Sequence, residues 1–212
     1  MGFWSSVCSA VSSVCSCIGG ALSGVASALS GALGLAGSLV SGIVCGIIKG
    51  IAAILGIGKE KEKPEEVGLK AEKADRNLED FDSFEEYKEY LDGIELTDED
   101  LEKLNDPEKK EAYTMVGTGV YLQGINEHYG MEIKPETFVK LVGLGVKSPE
   151  DTKAFLDKCK ENGVNPDLDG LEKGKLTTKE EDKLIETFKD SIGEMGAKDE
   201  ISNKLDDMLS KL

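Results

Sequence analysis

What the first quarter of this 212-residue chain lacks is charge. Between Gly2 and Ile48 there is no Asp, Glu, Lys, Arg or His, and in the first 58 residues Lys49 is the only ionisable side chain besides cysteines. Histidine is scarce throughout: His128 stands alone, so a His-rich metal site is excluded and no nucleophilic triad can be assembled around it. Its place before Tyr129-Gly130 suits a helix C-terminus. Clustered Lys or Arg is missing beyond "KEKEK" and "KGK", which argues against a nucleic-acid partner, because phosphate neutralisation needs a basic patch. No basic residue precedes the apolar run, and its length far exceeds the apolar core of a secretory signal, so export by that route is not expected. No alternating apolar run suggests a strand. No catalytic signature is recognisable, and no cofactor or metal is expected.

Five cysteines, Cys8, Cys15, Cys17, Cys45 and Cys159, make an odd count without framework spacing, which points to synthesis in a reducing compartment. Cys15 and Cys17 lack a second pair or a nearby His and read as small apolar residues in a helix rather than a metal fragment. "MGFWSS" fits the myristoylation pattern at Gly2 and Ser6, although bulky Phe3 suits that chemistry poorly; Cys8 and Cys15 are the candidates for palmitoylation.

All 41 acids and 24 of the 25 bases lie in residues 59–212, a formal charge of −17 against +1 for the front. The chain therefore divides into a nearly neutral apolar segment, residues 1–58, a charged linker, 59–80, and an acidic helical domain, 81–212. The acidic body would be repelled by an anionic bilayer, so any membrane contact has to come from apolar burial of the front segment.

That segment carries two helical stripes. Small residues recur three or four apart at Ser5, Ser9, Ser12, Ser16, Gly20, Gly24, Ser27, Gly31, Gly34, Ser38, Gly42, Gly46 and Gly50. Beside them runs a large stripe: Val7, Val11, Val14, Ile18, Leu22, Val25, Leu29, Leu33, Leu35, Leu39, Ile43, Ile47, Ile51 and Leu55. Its one slip of register, Leu33 to Leu35 beside Gly34, predicts a bend. So many glycines weaken a helix in water by roughly 1 kcal/mol each relative to Ala. In hydrocarbon the unsatisfied backbone forces the helix regardless, and small faces let backbones approach. Gly42, Gly46 and Gly50 form an extended small-xxx-small run, with Gly20 and Gly24 a shorter one.

About 55 helical residues would span about 80 Å, against a hydrocarbon core of about 30 Å, so one straight crossing is excluded. Two crossings, at residues 17–35 and 39–57 with the bend at 34–37, fit best; an alternative bend lies at Gly19-Gly20. Residues 4–16 would lie at the interface with Trp4 as anchor. Lys49 must snorkel or face water or a partner. The helix-packing and membrane residues expected from this pattern are Gly20, Gly24, Gly31, Gly42, Gly46, Gly50, Lys49 and Trp4.

Residues 59–80 are charge-dense, broken at Pro64, and read as a solvated, partly helical linker. Beyond them the caps mark short helices. Asp82 or Ser83 opens "FEEYKEYL", Thr97 with Asp100 makes a capping box, and Asp106-Pro107 begins a long stretch to Gly130 that Gly117 and Gly119 would interrupt. Pro135, Ser148-Pro149 and Thr177 or Thr178 start three more, and Ile201, Leu205, Met208, Leu209 and Leu212 share a last face. The fold class is thus all-α: an apolar glycine-zipper hairpin joined by the linker to a small acidic bundle. "NPDLDGLEKGKL" begins like a calcium loop at Asn165, Asp167, Asp169 and Gly170. It fails at Leu176, where the bidentate acid belongs, and reads as a turn and cap.

A long glycine-zipper segment, here Gly42, Gly46 and Gly50, with a small acidic domain and no signal peptide, resembles the membrane-inserting effectors that bacteria deliver into rival cells through contact-dependent secretion machines. The resemblance covers residues 1–58. "GIVCGIIKGIAAILGIGK" is also similar to membrane-active antimicrobial peptides, from whose cationic character the acidic domain departs. Both resemblances imply depolarisation of a target membrane by oligomeric insertion rather than catalysis. The implied partners are a lipid bilayer, further copies through the glycine face, and a chaperone, secretion component or immunity protein for the acidic body. The implied course is synthesis in the cytoplasm followed by action at a membrane, in another cell if delivered. The alternative is a structural or assembly protein of a phage or secretion machine, whose hairpin packs in a multi-subunit core or anchors it to lipid.

Overall fold

The computed structural model describes residues 2–18, 20–59 and 61–210, and of Trp4 the backbone only. The expected anchoring side chain of Trp4, the bend at Gly19 and the terminal Leu212 therefore lie outside the described residues. Among those described the chain is all-helical, without a strand. The helices are α1 (Phe3–Cys15), α2 (Gly20–Ala36), α3 (Ser38–Ile54), α4 (Pro64–Lys73), α5 (Phe84–Asp92), α6 (Asp98–Glu102), α7 (Pro107–Tyr129), α8 (Pro135–Leu144), α9 (Pro149–Asn162), α10 (Leu168–Glu172), α11 (Thr178–Ile192) and α12 (Lys198–Leu209). Short 3-10 turns occupy Leu78–Asp80 and Lys103–Asn105.

The axis of the fold is α7. Asp106 opens it by accepting the backbone N–H groups of Glu108 and Lys109 at 2.9 and 3.3 Å, Pro107 sits in its first turn, and Gly130 closes it at φ 63°. From Ala112 to Ile125 it is buried at almost every position, as expected of a helix with small and apolar residues on all sides. Helices α1, α2, α3 and α4 all pack on it.

Gly117 and Gly119 do not interrupt α7. They are crossing points. A Cβ on Gly117 would stand 1.8 Å from the Pro64 carbonyl oxygen, and one on Gly68 would stand 2.1 Å from that of Tyr113, so α4 and α7 meet backbone against backbone. At Gly119 the neighbour is the backbone of Ala26 in α2, 3.5 Å away. The stretch expected as a solvated linker thus carries α4, with Val67, Leu69 and Ala71 buried on α7.

The remaining caps fall where the sequence places them. Ser83, Thr97, Ser148 and Thr177 each accept the N–H three residues on, and Thr97 and Thr177 complete capping boxes with Asp100 and Glu180. Helices α8, α9, α11 and α12 build the C-terminal half, where Phe155 and Phe188 meet edge to face at 4.9 Å. Asp167 caps α10 through the Gly170 N–H and pairs with Lys134 at 2.9 Å, which accounts for the start of the calcium-like motif.

Candidate functional site: the charge-free helices and their junction

The two stripes of the front segment separate onto opposite sides. In α1 the residues Val7, Val11 and Val14 are buried; in α2 Leu22, Leu29 and Leu33; in α3 Val44, Ile47, Ile48 and Ile51. This large face lies on α7, with α8 and α9 closing beside α2 and α3. The small face points outward: Ser5, Ser9, Ser12, Ser16, Gly24, Ser27, Gly31, Ser38, Gly42 and Gly46 are all exposed.

The chain turns between α2 and α3 at Gly37, whose φ of 87° few other residues adopt, at the edge of the expected bend. The slip of register is physical: Leu33 is fully buried, whereas Leu35 is 93% exposed. Leu39, expected in the large stripe, is 79% exposed as well, because it opens α3 on the outer side of the turn.

The expected zipper residues do not share one environment. Gly24, Gly31, Gly42 and Gly46 have no heavy atom within 4 Å of where a Cβ would stand. Gly20 lies 3.6 Å by the same measure from the Glu79 carboxylate, which accepts the Ala21 N–H at 2.7 Å and so caps α2 from outside it. Gly50 is used inside the fold: its Cβ would stand 2.3 Å from Pro149 at the start of α9. Lys49 is half-buried on α3.

Polar ties join α2 and α3 to the rest of the fold. Besides Glu79, the Ser41 hydroxyl donates to Glu111 at 3.4 Å. Burial, only partly offset by that hydroxyl, holds the Glu111 carboxyl above its ordinary range. Two outer hydroxyls donate within their own helix, Ser9 to the Ser5 carbonyl at 3.0 Å and Ser12 to that of Cys8 at 2.9 Å. Cys8, Cys15, Cys17, Cys45 and Cys159 are free thiols, and burial pushes Cys159 up to about 12.

Charge returns abruptly after α3. Ile57 and Gly58 bond back to the Ala52 carbonyl at 2.8 and 3.2 Å, with Gly56 at φ 75°. Gly58 rests on the Tyr121 ring, and Ile57 and Phe84 both approach Gly124. Then Lys59 pairs with Asp92 at 3.1 Å, and Lys88, only 7% exposed, pairs with Glu62 at 3.1 Å and with Asp92. Tyr121 donates to the other Glu62 oxygen at 2.8 Å. Burial and the Glu62 carboxylate raise that phenol well above its ordinary value, so it stays a donor. Burial opposes the Asp92 charge, yet Lys88 and Lys59 outweigh it and hold the carboxyl below the ordinary range. Beside this cluster an open cleft of about 450 Å³ is bounded by Leu55, Ile57, Phe84, Gly124 and His128.

None of these charged partners was singled out in the sequence; the four-residue spacing of Lys88 and Asp92 on one helix face is the signal that could have found that pair. His128, read there as a helix-end residue, does lie in the last turn of α7, where its carbonyl accepts Lys160 at 2.8 Å. Among the described residues no group of metal-ligating side chains assembles, and no helix is long and apolar enough to cross a membrane. Comparison with known proteins returns no matching family, no matching curated protein and no matching solved structure.

Proposed function

We propose that this chain is a membrane-inserting protein whose folded form stores its membrane element, the helices α1–α3, against α7. The observation that carries this reading is the sorting of those helices into a large apolar face turned inward and a small face turned outward. If lipid replaces α7, the large face meets hydrocarbon and the small face is free for helix-to-helix contact, so no residue has to change its role. The self-bonded hydroxyls of Ser9 and Ser12 and the absence of charge before Lys49 lower the cost of leaving water.

Length is compatible with a modest extension. The 17 residues of α3 reach about 25 Å, and continuing it through Gly58 adds about 6 Å, enough for a core of about 30 Å. Several copies meeting through Gly24, Gly31, Gly42 and Gly46 would form the conducting unit, and depolarisation of the target membrane is the resulting activity. The acidic body, which repels anionic lipid, makes unaided attack unfavourable and favours delivery as an antibacterial effector, with a chaperone or immunity protein as its natural partner.

The test is electrical. Purified protein added to a planar bilayer, or loaded into the chamber with an acyl-chain-perturbing detergent below its critical concentration, is expected to give discrete conductance steps. Their absence under both conditions rejects the reading. One observation favours a second reading, an assembly protein: most of the large stripe is covered within a single chain, while Leu35 and Leu39 at the α2–α3 turn stand exposed. That reading expects a stoichiometric protein complex and no loss of membrane potential on expression in the periplasm.

A further inference from the structure

We infer that residues 55–62 form a hinge backed by an anchor, about which α1–α3 leave α7 together while α4–α12 stay folded; this rests on the membrane-inserting reading above. The hinge side is built for a change of direction. Gly56 holds φ 75°, α3 is closed by two bonds onto the single Ala52 carbonyl, and the open cleft beside Leu55 and Ile57 leaves room for the strap to shift.

The anchor side is built to stay. Within a few residues of Gly58, Lys59 and Glu62 are held by Asp92 and Lys88 of α5 and by Tyr121 of α7. Pulling Glu62 away would leave Lys88, nearly buried, with Asp92 as its remaining acid and would strip the Tyr121 hydroxyl of its acceptor. Buried ion pairs contribute little net stability over apolar packing, but removing one partner is strongly unfavourable, so their effect is to fix position.

North of the hinge the attachment is of another kind. Among the described residues the polar contacts of α2 and α3 with the body include Ala21 with Glu79 and Ser41 with Glu111, each a single hydrogen bond to a carboxylate, and the buried Cys45 thiol beside Thr118 of α7. The rest is apolar contact, which is non-directional and is replaced without loss by other apolar surroundings. The chain is thus clamped where it enters the body and held by replaceable contacts beyond that point.

Hydrogen exchange of the full-length protein in water, followed by mass spectrometry, tests this without any membrane. Protection is expected to step at Gly56, with peptides from residues 22–33 and 44–52 opening on the order of tenfold more often than those from 64–73 and 112–125. Uniform protection across Gly56 overturns the inference. In Lys88→Met, which keeps the stem and removes the ammonium, the step is expected to move toward α4, with residues 57–73 exchanging like α3 while α9 and α11 are unchanged. A step that stays at Gly56 in that variant overturns the anchor. The wild-type measurement keeps the hinge testable if the variant does not fold. Dye release from phosphatidylcholine vesicles, which carry no net charge to repel the acidic body, reads the membrane function separately: a protection step without release leaves the hinge standing and removes the function, and release without a step does the reverse.

Discussion

Replacing Gly46 by Leu separates what the folded form needs from what insertion needs. Gly46 lies mid-helix in α3, faces solvent, and has no heavy atom within 4 Å of a Cβ position, so the new side chain meets nothing. Leu is a better helix former than Gly by roughly 0.8 kcal/mol, and the fold is expected to gain about that much. For a chain of this length 1 kcal/mol corresponds to about 2–4 °C, so the melting temperature should rise by about 2–3 °C. Close approach of a second helix at Gly46 is blocked by the same side chain, and conductance and vesicle leakage should fall by at least about tenfold while lipid partitioning is kept or improved. Gly50→Leu is the contrast: with Pro149 2.3 Å from its Cβ position, it should lower the melting temperature. Calorimetry and dye release on the same samples decide. A lower melting temperature for Gly46→Leu would show that the outer face is not free in the fold, and unchanged leakage would remove the glycine face from the mechanism.

Gly117→Ala, with its Cβ position 1.8 Å from the Pro64 carbonyl oxygen, is expected to lose about 2 kcal/mol or more in urea unfolding, against a gain for Gly46→Ala; equal effects would refute the backbone crossing of α4 and α7. Glu111→Gln should stabilise the protein at pH 7, because burial raises the carboxyl's folded-state pKa and the charged form is the unfavourable one. Stability from this group is complete below its unfolded value and lost as pH rises through the raised folded value, so the difference between variant and wild type should close by about pH 4; a gap that widens on acidification refutes it. Thiol labelling mapped by mass spectrometry should mark exposed Cys17 first and leave buried Cys159, whose pKa burial raises, unreacted in the native state. Labelling of Cys159 at the rate of Cys17 would contradict the fold around α9.

Local signals carried well from sequence to structure. Ser83, Thr97, Asp106, Ser148 and Thr177 announce helix starts because a cap is decided within four residues. The two stripes of the front segment were equally plain, since helical periodicity needs no partner. What the large stripe packs on was not legible: a face that suits hydrocarbon suits α7 equally well, and the composition of α7, with Gly117, Gly119 and Gly124 among tyrosines and valines, does not look like a core helix until other backbones are laid on it. The burial of α4, in a stretch expected to be solvated and partly helical, was hidden for the opposite reason. Its charges dominate the composition, while its burial depends on Val67, Leu69, Ala71 and a bare Gly68. The junction cluster was invisible because Lys59, Glu62, Lys88 and Tyr121 come from segments far apart in the chain and acids are common throughout.

The outward glycines carry the argument one step further than the stripe itself. Gly50, Gly68 and Gly117 each permit a close contact that a Cβ would prevent, so the fold explains them. Gly24, Gly31, Gly42 and Gly46 permit none, and none has a positive φ. In water each weakens its helix by roughly 0.8–1 kcal/mol relative to Ala, about 3–4 kcal/mol together. That is a large share of the roughly 5–15 kcal/mol by which a folded domain is stable. Alanine at the same four positions would keep the outer face uncharged and small while removing this cost, so smallness in water is not what the glycines supply. What only glycine supplies is the shortest approach of a second backbone, and in hydrocarbon, where the helix is enforced by its own hydrogen bonds, the propensity cost falls away. The four positions are therefore unfavourable in the folded form and would be favourable in an inserted, associated one, which is the balance that the proposed membrane insertion expects.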